Sequence, residues 1–125
     1  MSNDKKFGVW MDNYNAAVVG PDNAQPDSLM FLAQVTGEQS TQNASEKNSN
    51  NQERMLQAKF FKEIASHLLN ATHVHITGTG QAQEKFMHFL AETPQFKNTV
   101  TTECTSNKMS DERLVEFISE KFKKA

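Results

Sequence analysis

The beginning of the chain alternates between apolar runs of strand length and short polar turns. Phe7–Asp12 (FGVWMD) has apolar residues at both sets of alternate positions, which is typical of a strand in the interior of a sheet. After the turn NYN, Ala16–Gly20 (AAVVG) predicts an antiparallel hairpin partner. A second turn, rich in Pro, Asp and Asn, leads into Ser28–Val35 (SLMFLAQV), which predicts a third strand. Together the three segments predict an antiparallel meander.

Helical periodicity starts only after a long polar stretch. From Glu53 to Asn70 the apolar residues recur with helical spacing, which predicts an amphipathic helix. The residues that form its apolar stripe are Leu56, Phe60, Phe61, Ile64, Ala65, Leu68 and Leu69.

Two strands and two helices complete the pattern. THVHITG (72–78) predicts a buried strand, QAQEKFMHFLAE (81–92) a second helix, and the β-branched TVTTECTS (99–106) an edge strand. The last helix has well-marked ends, because Ser110 suits the N-cap, Asp111 and Glu112 suit the first turn, and lysines follow in the last turn.

The predicted order is therefore β-β-β-α-β-α-β-α over a single domain, residues 1–125. It predicts a three-layer α/β/α architecture of the ribonuclease H-like kind: a mixed five-stranded sheet between helices, with the second strand antiparallel to its neighbours. The residues expected in the core include Val9, Trp10, Phe60, Ile64, Ile76, Phe86, Leu90 and Ile118.

Residues 36–52 separate the third strand from the first helix and contain almost nothing to bury. Ordering such a stretch costs backbone entropy of about 1–2 kcal/mol per residue, with no apolar burial to offset it. We therefore predict a mobile polar loop at about 36–52, which would mark either a functional loop or a linker.

Composition narrows the classes of function. The net charge of −2 and pI of about 6.1 argue against a strongly basic, nucleic-acid-coating surface. The single cysteine, Cys104, excludes an internal disulfide and a cysteine-based zinc site. No apolar segment follows the first lysines, and no apolar run approaches the roughly 20 residues of a membrane span. We expect a cytoplasmic protein with no membrane partner, no cofactor and no small-molecule substrate.

A metal-dependent nuclease is one alternative that the strand order suggests. Such a site needs acids on the first strand, the first helix and the end of the fourth strand. Asp12 suits the first place, and Glu53 or Glu63 could occupy the second, but His75–Gly78 supplies no acid for the third. Asp12 is better explained as a strand-end residue of the hairpin turn, and we predict no catalytic residue.

Histidine and cysteine chemistry gives no stronger signal. His73 and His75 share one strand face and His88 lies on the next helix, but a third ligand is lacking, so we predict no metal site. His75 is expected to be a hydrogen-bonded core residue. Cys104 has no basic partner nearby in sequence and is expected to be a small strand residue rather than a nucleophile.

The segment GTGQAQ joins the fourth strand to the second helix. Backbone N–H groups at such a junction can receive an anion, which makes Gly78, Thr79, Gly80 and Gln81 a candidate anion site. The segment lacks the third glycine of a dinucleotide fingerprint and the Lys-Ser/Thr of a P-loop. Glycine that permits a tight strand-to-helix turn is the simpler explanation, and it is the one we favour.

Two segments carry a resemblance to a known family. FGVWMDNYNAAVVG looks like an opening hairpin, and HVHITGTGQAQEKFMHFLAET looks like a later strand-glycine-helix unit, of the middle domain of archaeal and eukaryotic class-one peptide chain release factors and Pelota. The sequence also resembles bacterial release-factor-like and host-attachment-type proteins. The resemblance covers Phe7 to Phe122 in order and pattern, and it implies a ribosome- or tRNA-associated role.

In those release factors the loop between the third strand and the first helix carries Gly-Gly-Gln, which acts in peptide release. The comparable triplet here is Gly37-Glu38-Gln39, in which Glu38 replaces the middle glycine and its backbone freedom. We therefore expect no peptide release. Under the resemblance, this triplet together with Lys47 and Arg54 would form a binding loop.

Three functions remain at this point. The first is a non-catalytic, translation-associated accessory protein that binds the ribosome or tRNA, in stress or stalling. The second is a protein-interaction module, dimerising through an exposed edge strand. The third is the metal-dependent nuclease, ranked last because its carboxylate set is incomplete.

Overall fold

The computed structural model describes residues 5–22, 24, 28–37 and 46–123. Its strands and helices, numbered in chain order, are β1 (Lys6–Met11), β2 (Asn15–Pro21), β3 (Leu29–Thr36), α1 (Glu46–Ser66), β4 (His73–Gly78), α2 (Gln81–Glu92), β5 (Val100–Thr105) and α3 (Asp111–Lys123). A short 3₁₀ turn, Pro94–Phe96, follows α2. The predicted order of elements is confirmed.

The five strands form one mixed sheet in the order β3-β2-β1-β4-β5. β2 is antiparallel to both β1 and β3, whereas β4 runs parallel to β1 and β5 parallel to β4. The meander therefore builds one half of the sheet, and the two strands that are reached through helices build the other half. β5 lies at an edge, as its semi-polar sequence predicts.

Alternation along the strands sends side chains into two separate apolar layers. Val9 and Ile76 pack with α1 and α2 on one face, while Trp10 and Val19 pack with α3 on the other. This explains why β1 is apolar at nearly every position: it is covered on both faces. The eight residues predicted to be in the core are all buried, none more than 4% exposed.

α1 differs from its predicted bounds at both ends. It begins at Glu46 rather than Glu53, so the predicted loop ends earlier than residue 52. The first turns of α1 carry Lys, Asn, Ser and Gln, which can form a helix without showing an apolar stripe, so the pattern could not mark its start. Residues 38–45 of the predicted loop lie outside the described residues, and its mobility stays a prediction.

At its C-terminal end α1 stops at Ser66, and a turn replaces the last predicted residues of the helix. The turn is built from bonds between residues three apart, such as Leu68 N–H to the Ala65 carbonyl, 2.9 Å. Asn70 then takes a left-handed conformation with φ of 61°, which asparagine tolerates better than most residues. Leu69, predicted to extend the apolar stripe, lies in this turn and is 61% exposed.

The N-cap predicted for α3 is confirmed. The Ser110 side-chain oxygen accepts a hydrogen bond from the Arg113 N–H at 3.2 Å. Within the part of the chain that the structure describes, no helix combines the length and apolar character needed to cross a bilayer.

Candidate functional site

The corner where β3 ends contains the first residue of the predicted binding loop. The Gly37 N–H donates to the Tyr14 carbonyl at 2.6 Å, which ties the end of β3 to the β1–β2 turn. A side-chain carbon at Gly37 would lie 3.0 Å from the Phe60 ring, so α1 packs directly on this glycine. Close packing against Phe60 is thus sufficient to explain why residue 37 is a glycine. Glu38 and Gln39 lie outside the described residues.

The two basic residues that were assigned to this loop belong to α1. Lys47 lies in the first turn of the helix, and Arg54 lies near its middle on the side that faces α2. The structure therefore corrects the prediction of a continuous binding loop, because these cations are carried on a helix.

Arg54 forms part of an open groove between α1 and α2, with a volume of about 310 Å³. We call this surface the α1–α2 groove; it is lined by Arg54, Gln57, Ala58, Phe61, Lys85, His88, Phe89 and Glu92. Neither Arg54 nor Lys85 forms a salt bridge with another described residue. Two cations are therefore available on the rim, with Glu92 as the acidic residue of the same lining.

The base of the α1–α2 groove is aromatic. The Phe61 ring lies 5.3 Å from Phe86 and 5.6 Å from Phe89, and Phe86 and Phe89 stack at 6.1 Å between centroids. Phe89 is half-buried and contributes to the surface, while Phe86 is fully buried beneath it. Cations above an accessible aromatic side chain can contact both the phosphates and the bases of single-stranded nucleic acid.

The β4–α2 turn is organised by packing. A side-chain carbon at Gly78 would collide with the backbone carbonyl of Met11, so glycine is required there. The Gly80 N–H donates to the Gln83 side-chain oxygen at 3.1 Å. Gln83, which is 1% exposed, also donates to the Cys104 carbonyl at 3.4 Å. These contacts explain much of the turn without a ligand.

Thr79 and Gln81 of the same turn are exposed. The anion site predicted at Gly78–Gln81 stays a prediction, since the described contacts neither require nor use one. What the turn does provide is a fixed link between the end of β4 and β5.

Asp12, the first carboxylate that the nuclease hypothesis requires, is hydrogen-bonded within the β1–β2 turn. Asp12 Oδ1 accepts hydrogen bonds from the N–H groups of Tyr14 at 2.9 Å and Asn15 at 2.7 Å. β4 ends at Gly78, as the sequence indicates, and Glu63 is exposed on α1. In the described ranges no group of three or more His, Cys, Asp or Glu side chains could hold a metal ion.

The histidines do not converge. His73 and His75 face α3, where their rings contact Phe122 and Phe117 respectively. His88 lies on α2, in the groove on the opposite face of the sheet. His75 is 6% exposed and hydrogen-bonded, as expected.

One interaction was missed by the sequence reasoning. Cys104 has a basic partner after all, because its sulfur lies 3.3 Å from His75 Nε2. The two residues are 29 positions apart and meet only because β4 and β5 pair in parallel, with Thr77 opposite Cys104. No local signal could have revealed this pair; a prediction of strand register would have been needed.

A cavity of about 370 Å³ lies between β1, β2 and the start of α3. Trp10 forms part of its wall, and the buried Trp10 Nε1 has no hydrogen-bond partner among the described residues. Lys108 and Asp111 also line it. Its size is within the range of small-ligand sites, although none was expected from the sequence.

No protein-family model matches the chain, and no curated protein matches its sequence. Solved structures do resemble it. The Pelota protein of Thermoplasma acidophilum matches with a TM-score of 0.62 and 20% identity, over 93% of this chain and 32% of that protein. An archaeal translation termination factor matches with a TM-score of 0.61 and 16% identity, over 96% of this chain and 35% of that one.

Pelota of Archaeoglobus fulgidus gives a similar result, with a TM-score of 0.56 and 16% identity over 97% of this chain. The chain thus spans about a third of the length of these proteins. The resemblance predicted from the hairpin and the strand-glycine-helix unit is confirmed at the level of the fold: this chain is built like one domain of Pelota and of the archaeal termination factor.

Proposed function

We propose that this protein is a cytoplasmic, non-catalytic accessory factor of translation that contacts ribosomal RNA or tRNA through the α1–α2 groove. The observation that carries the proposal is the fold likeness to Pelota and to a translation termination factor along nearly the whole chain. The likeness concerns about a third of those proteins, so the proposal concerns binding and not their complete activity.

The α1–α2 groove is the described surface that best suits RNA. Arg54 on α1 and Lys85 on α2 line the groove together with Phe89. Phosphates are attracted to such cations, and a base can stack on an accessible ring for about 1–3 kcal/mol. Because the net charge of the chain is −2, binding has to depend on this local arrangement rather than on a general positive field.

Peptide release is not part of the proposal. Gly37 is in contact with Phe60, and Glu38 takes the position of the middle glycine in the comparable triplet. A carboxylate at that position would be repelled by the phosphates of an RNA-walled site. The proposed role is therefore recognition without catalysis.

Co-sedimentation with purified ribosomes tests the proposal. The wild-type chain should sediment with ribosomes at low salt and be released as salt rises, because each phosphate contact releases counterions. The variant Arg54→Glu/Lys85→Glu should lose most of this binding. The matched control, Lys97→Glu/Lys123→Glu, changes the net charge equally at exposed positions outside the groove. Equal loss in both variants, or no sedimentation of the wild type, would refute the proposed groove.

A second candidate function is dimerisation through the edge of the sheet. β3 is an edge strand, and it exposes Met30 (42%) and Leu32 (38%). Exposed apolar edge strands can pair with a second copy. Light scattering coupled to gel filtration distinguishes this case: a dimer that Leu32→Lys converts to a monomer, without ribosome binding by the wild type, would favour it.

A further inference from the structure

A continuous line of polar side chains crosses β4 and β5 on the face that carries α3. Thr102 Oγ1 lies 2.6 Å from His75 Nδ1, and His75 Nε2 lies 3.3 Å from Cys104 Sγ. The line continues from Cys104 Sγ to Thr77 Oγ1 at 3.3 Å, and from there to Ser106 Oγ at 2.6 Å. We call these five residues the His75–Cys104 relay. It places a nucleophile, a base and a group that orients the base in series, the arrangement that activates nucleophiles in enzymes.

The thiol is accessible because α3 covers only part of this face. α3 packs against β1, β2 and β3, whereas β5 forms the opposite edge of the sheet. Cys104 is partly exposed, and Thr102 beyond it is exposed. His75 and Thr77 are buried on the neighbouring strand, so the two hydrogen-bond partners of the partly exposed Cys104 are held in place.

The surroundings keep the imidazole of His75 in its neutral form, which has a lone pair on one ring nitrogen. Burial and the nearby Lys121 ammonium hold the pKa of His75 below its ordinary value, so the ring is neutral at pH 7. In the tautomer that carries the proton on Nδ1, this N–H donates to Thr102 Oγ1 and the Nε2 lone pair faces the sulfur, whose own hydrogen donates to Thr77 Oγ1. As the sulfur gives up its proton in the reaction, the His75 N–H and the Thr77 hydroxyl can both donate hydrogen bonds to it.

We propose that Cys104 is a site of oxidative modification, at which a small hydroperoxide converts the thiol to a sulfenic acid with His75 as the proton acceptor. The sulfur attacks the distal oxygen of the hydroperoxide, forming an S–O bond as the O–O bond breaks. The thiol proton passes to His75 Nε2 and then to the departing oxygen, which leaves as an alcohol, or as water when the reagent is hydrogen peroxide. The sulfur loses two electrons and the peroxide gains two.

This reaction is independent of RNA binding, since the relay and the α1–α2 groove lie on opposite faces of the sheet. Cys104 is the only cysteine of the chain, so no second thiol can form an internal disulfide with the product. The sulfenic acid is therefore left to react with a small thiol from solution or with further peroxide.

Intact-mass spectrometry after hydrogen peroxide treatment in the presence of a sulfenic-acid-specific probe tests the proposal, because the six methionines also gain oxygen but do not form the probe adduct. At pH 7 the folded chain should form the adduct at least about ten times faster than the same chain unfolded in urea, because general-base assistance contributes about 10²–10⁴-fold in favourable cases. A sulfenic-acid-specific probe should label the product, and Cys104→Ser should abolish labelling.

Matched variants separate base assistance from simple exposure. His75→Gln should slow the reaction about tenfold or more, whereas His73→Gln should leave it unchanged, because His73 lies on the same strand and face but contacts Thr72 and Phe122 instead. Thr102→Val removes the anchor of Nδ1 at an exposed position and should also slow the reaction, which covers the case in which His75→Gln does not fold. A folded chain that reacts no faster than the unfolded one, or equal slowing by the His73 and His75 variants, overturns the proposal.

Discussion

Strand β4 presents apolar residues to the face of the sheet under α1 and α2, and polar residues to the face under α3. Toward α1 and α2, β4 presents Val74 and Ile76, which are 1% and 0% exposed within a continuous apolar layer. Toward α3 it presents His73, His75 and Thr77, whose polar atoms are bonded to neighbouring residues. The difference follows from coverage, because two helices close the first face and one helix, placed over β1–β3, leaves the second partly open.

The covered face and the partly open face of the sheet contribute differently to the protein. The apolar layer stabilises the fold, since buried aliphatic and aromatic area supplies most of the driving force for folding. The polar side chains of β4 on the other face bond to one another and to β5, whose parallel register places Cys104 beside His75. Most of the buried apolar residues thus lie on one face, and the relay lies on the other beside the smaller apolar cluster under α3.

The largest effect on stability is expected for a substitution in the apolar layer under α1 and α2. Ile64 is fully buried between α1 and the sheet, so Ile64→Ala should lower the free energy of unfolding by about 2–5 kcal/mol. Urea titration measures the loss. Leu69→Ala is the matched control: at 61% exposed, its cost should stay within about 0.5 kcal/mol. A loss below about 1 kcal/mol for Ile64→Ala would show that this face is not the main source of stability.

A smaller effect is expected on the α3 face. A methyl group at Gly8 would collide with the Ile118 side chain, so Gly8→Ala should push α3 away from β1 and cost about 1–3 kcal/mol. Truncating the opposing residue to alanine should relieve the collision, because the atoms that the methyl group would meet are the γ and δ carbons of Ile118. In a double-mutant cycle, Gly8→Ala with Ile118→Ala should therefore be less destabilising than the sum of the single changes, and strict additivity would contradict the contact.

The polar layer should also make stability depend on pH. The pKa of His75 is held below its ordinary value of 6.5 by burial and by Lys121, so the unfolded chain binds more protons at this residue than the folded chain. The contribution of His75 to the free energy of unfolding is fully present above about pH 6.5. It is lost as the pH falls from there toward the pKa of His75 in the folded chain. Denaturant titrations between pH 5 and pH 8 should show this loss, and His75→Gln should reduce it; an unchanged slope would contradict the assignment.

The smallest effect is expected in the connection between β3 and α1. Residues 38–45 contain little that is apolar, so replacing them with a Gly-Ser linker of equal length should change the free energy of unfolding by less than about 0.5 kcal/mol. Thermal unfolding checks this expectation. Substantial destabilisation would mean that the segment is structural and that the prediction of a mobile loop is wrong.

Much of the fold could be predicted because its signals are local. Apolar runs of strand length between polar turns marked β1, β2 and β3, helical spacing marked α2, and Ser110 marked the start of α3. Where local signals are weak, the prediction was wrong by several residues: the polar start of α1 shows no stripe, and its end is set by a turn that includes Asn70. Turns and loops are harder to predict from sequence than elements with apolar periodicity, because many polar sequences fit more than one backbone conformation.

By itself the sequence determined the order of the elements, the residues of the apolar layers and the resemblance to the release-factor fold, since each of these depends on the pattern of side chains along the chain. Only the tertiary structure decided which polar residues meet. Arg54 and Lys85 form one groove because α1 and α2 pack side by side, and Cys104 meets His75 because β5 pairs with β4 in a particular parallel register. The physical reason is the same in both cases: hydrogen bonds and charges act over a few ångströms in space, and residues about thirty positions apart reach that distance only when the strands and helices between them have packed.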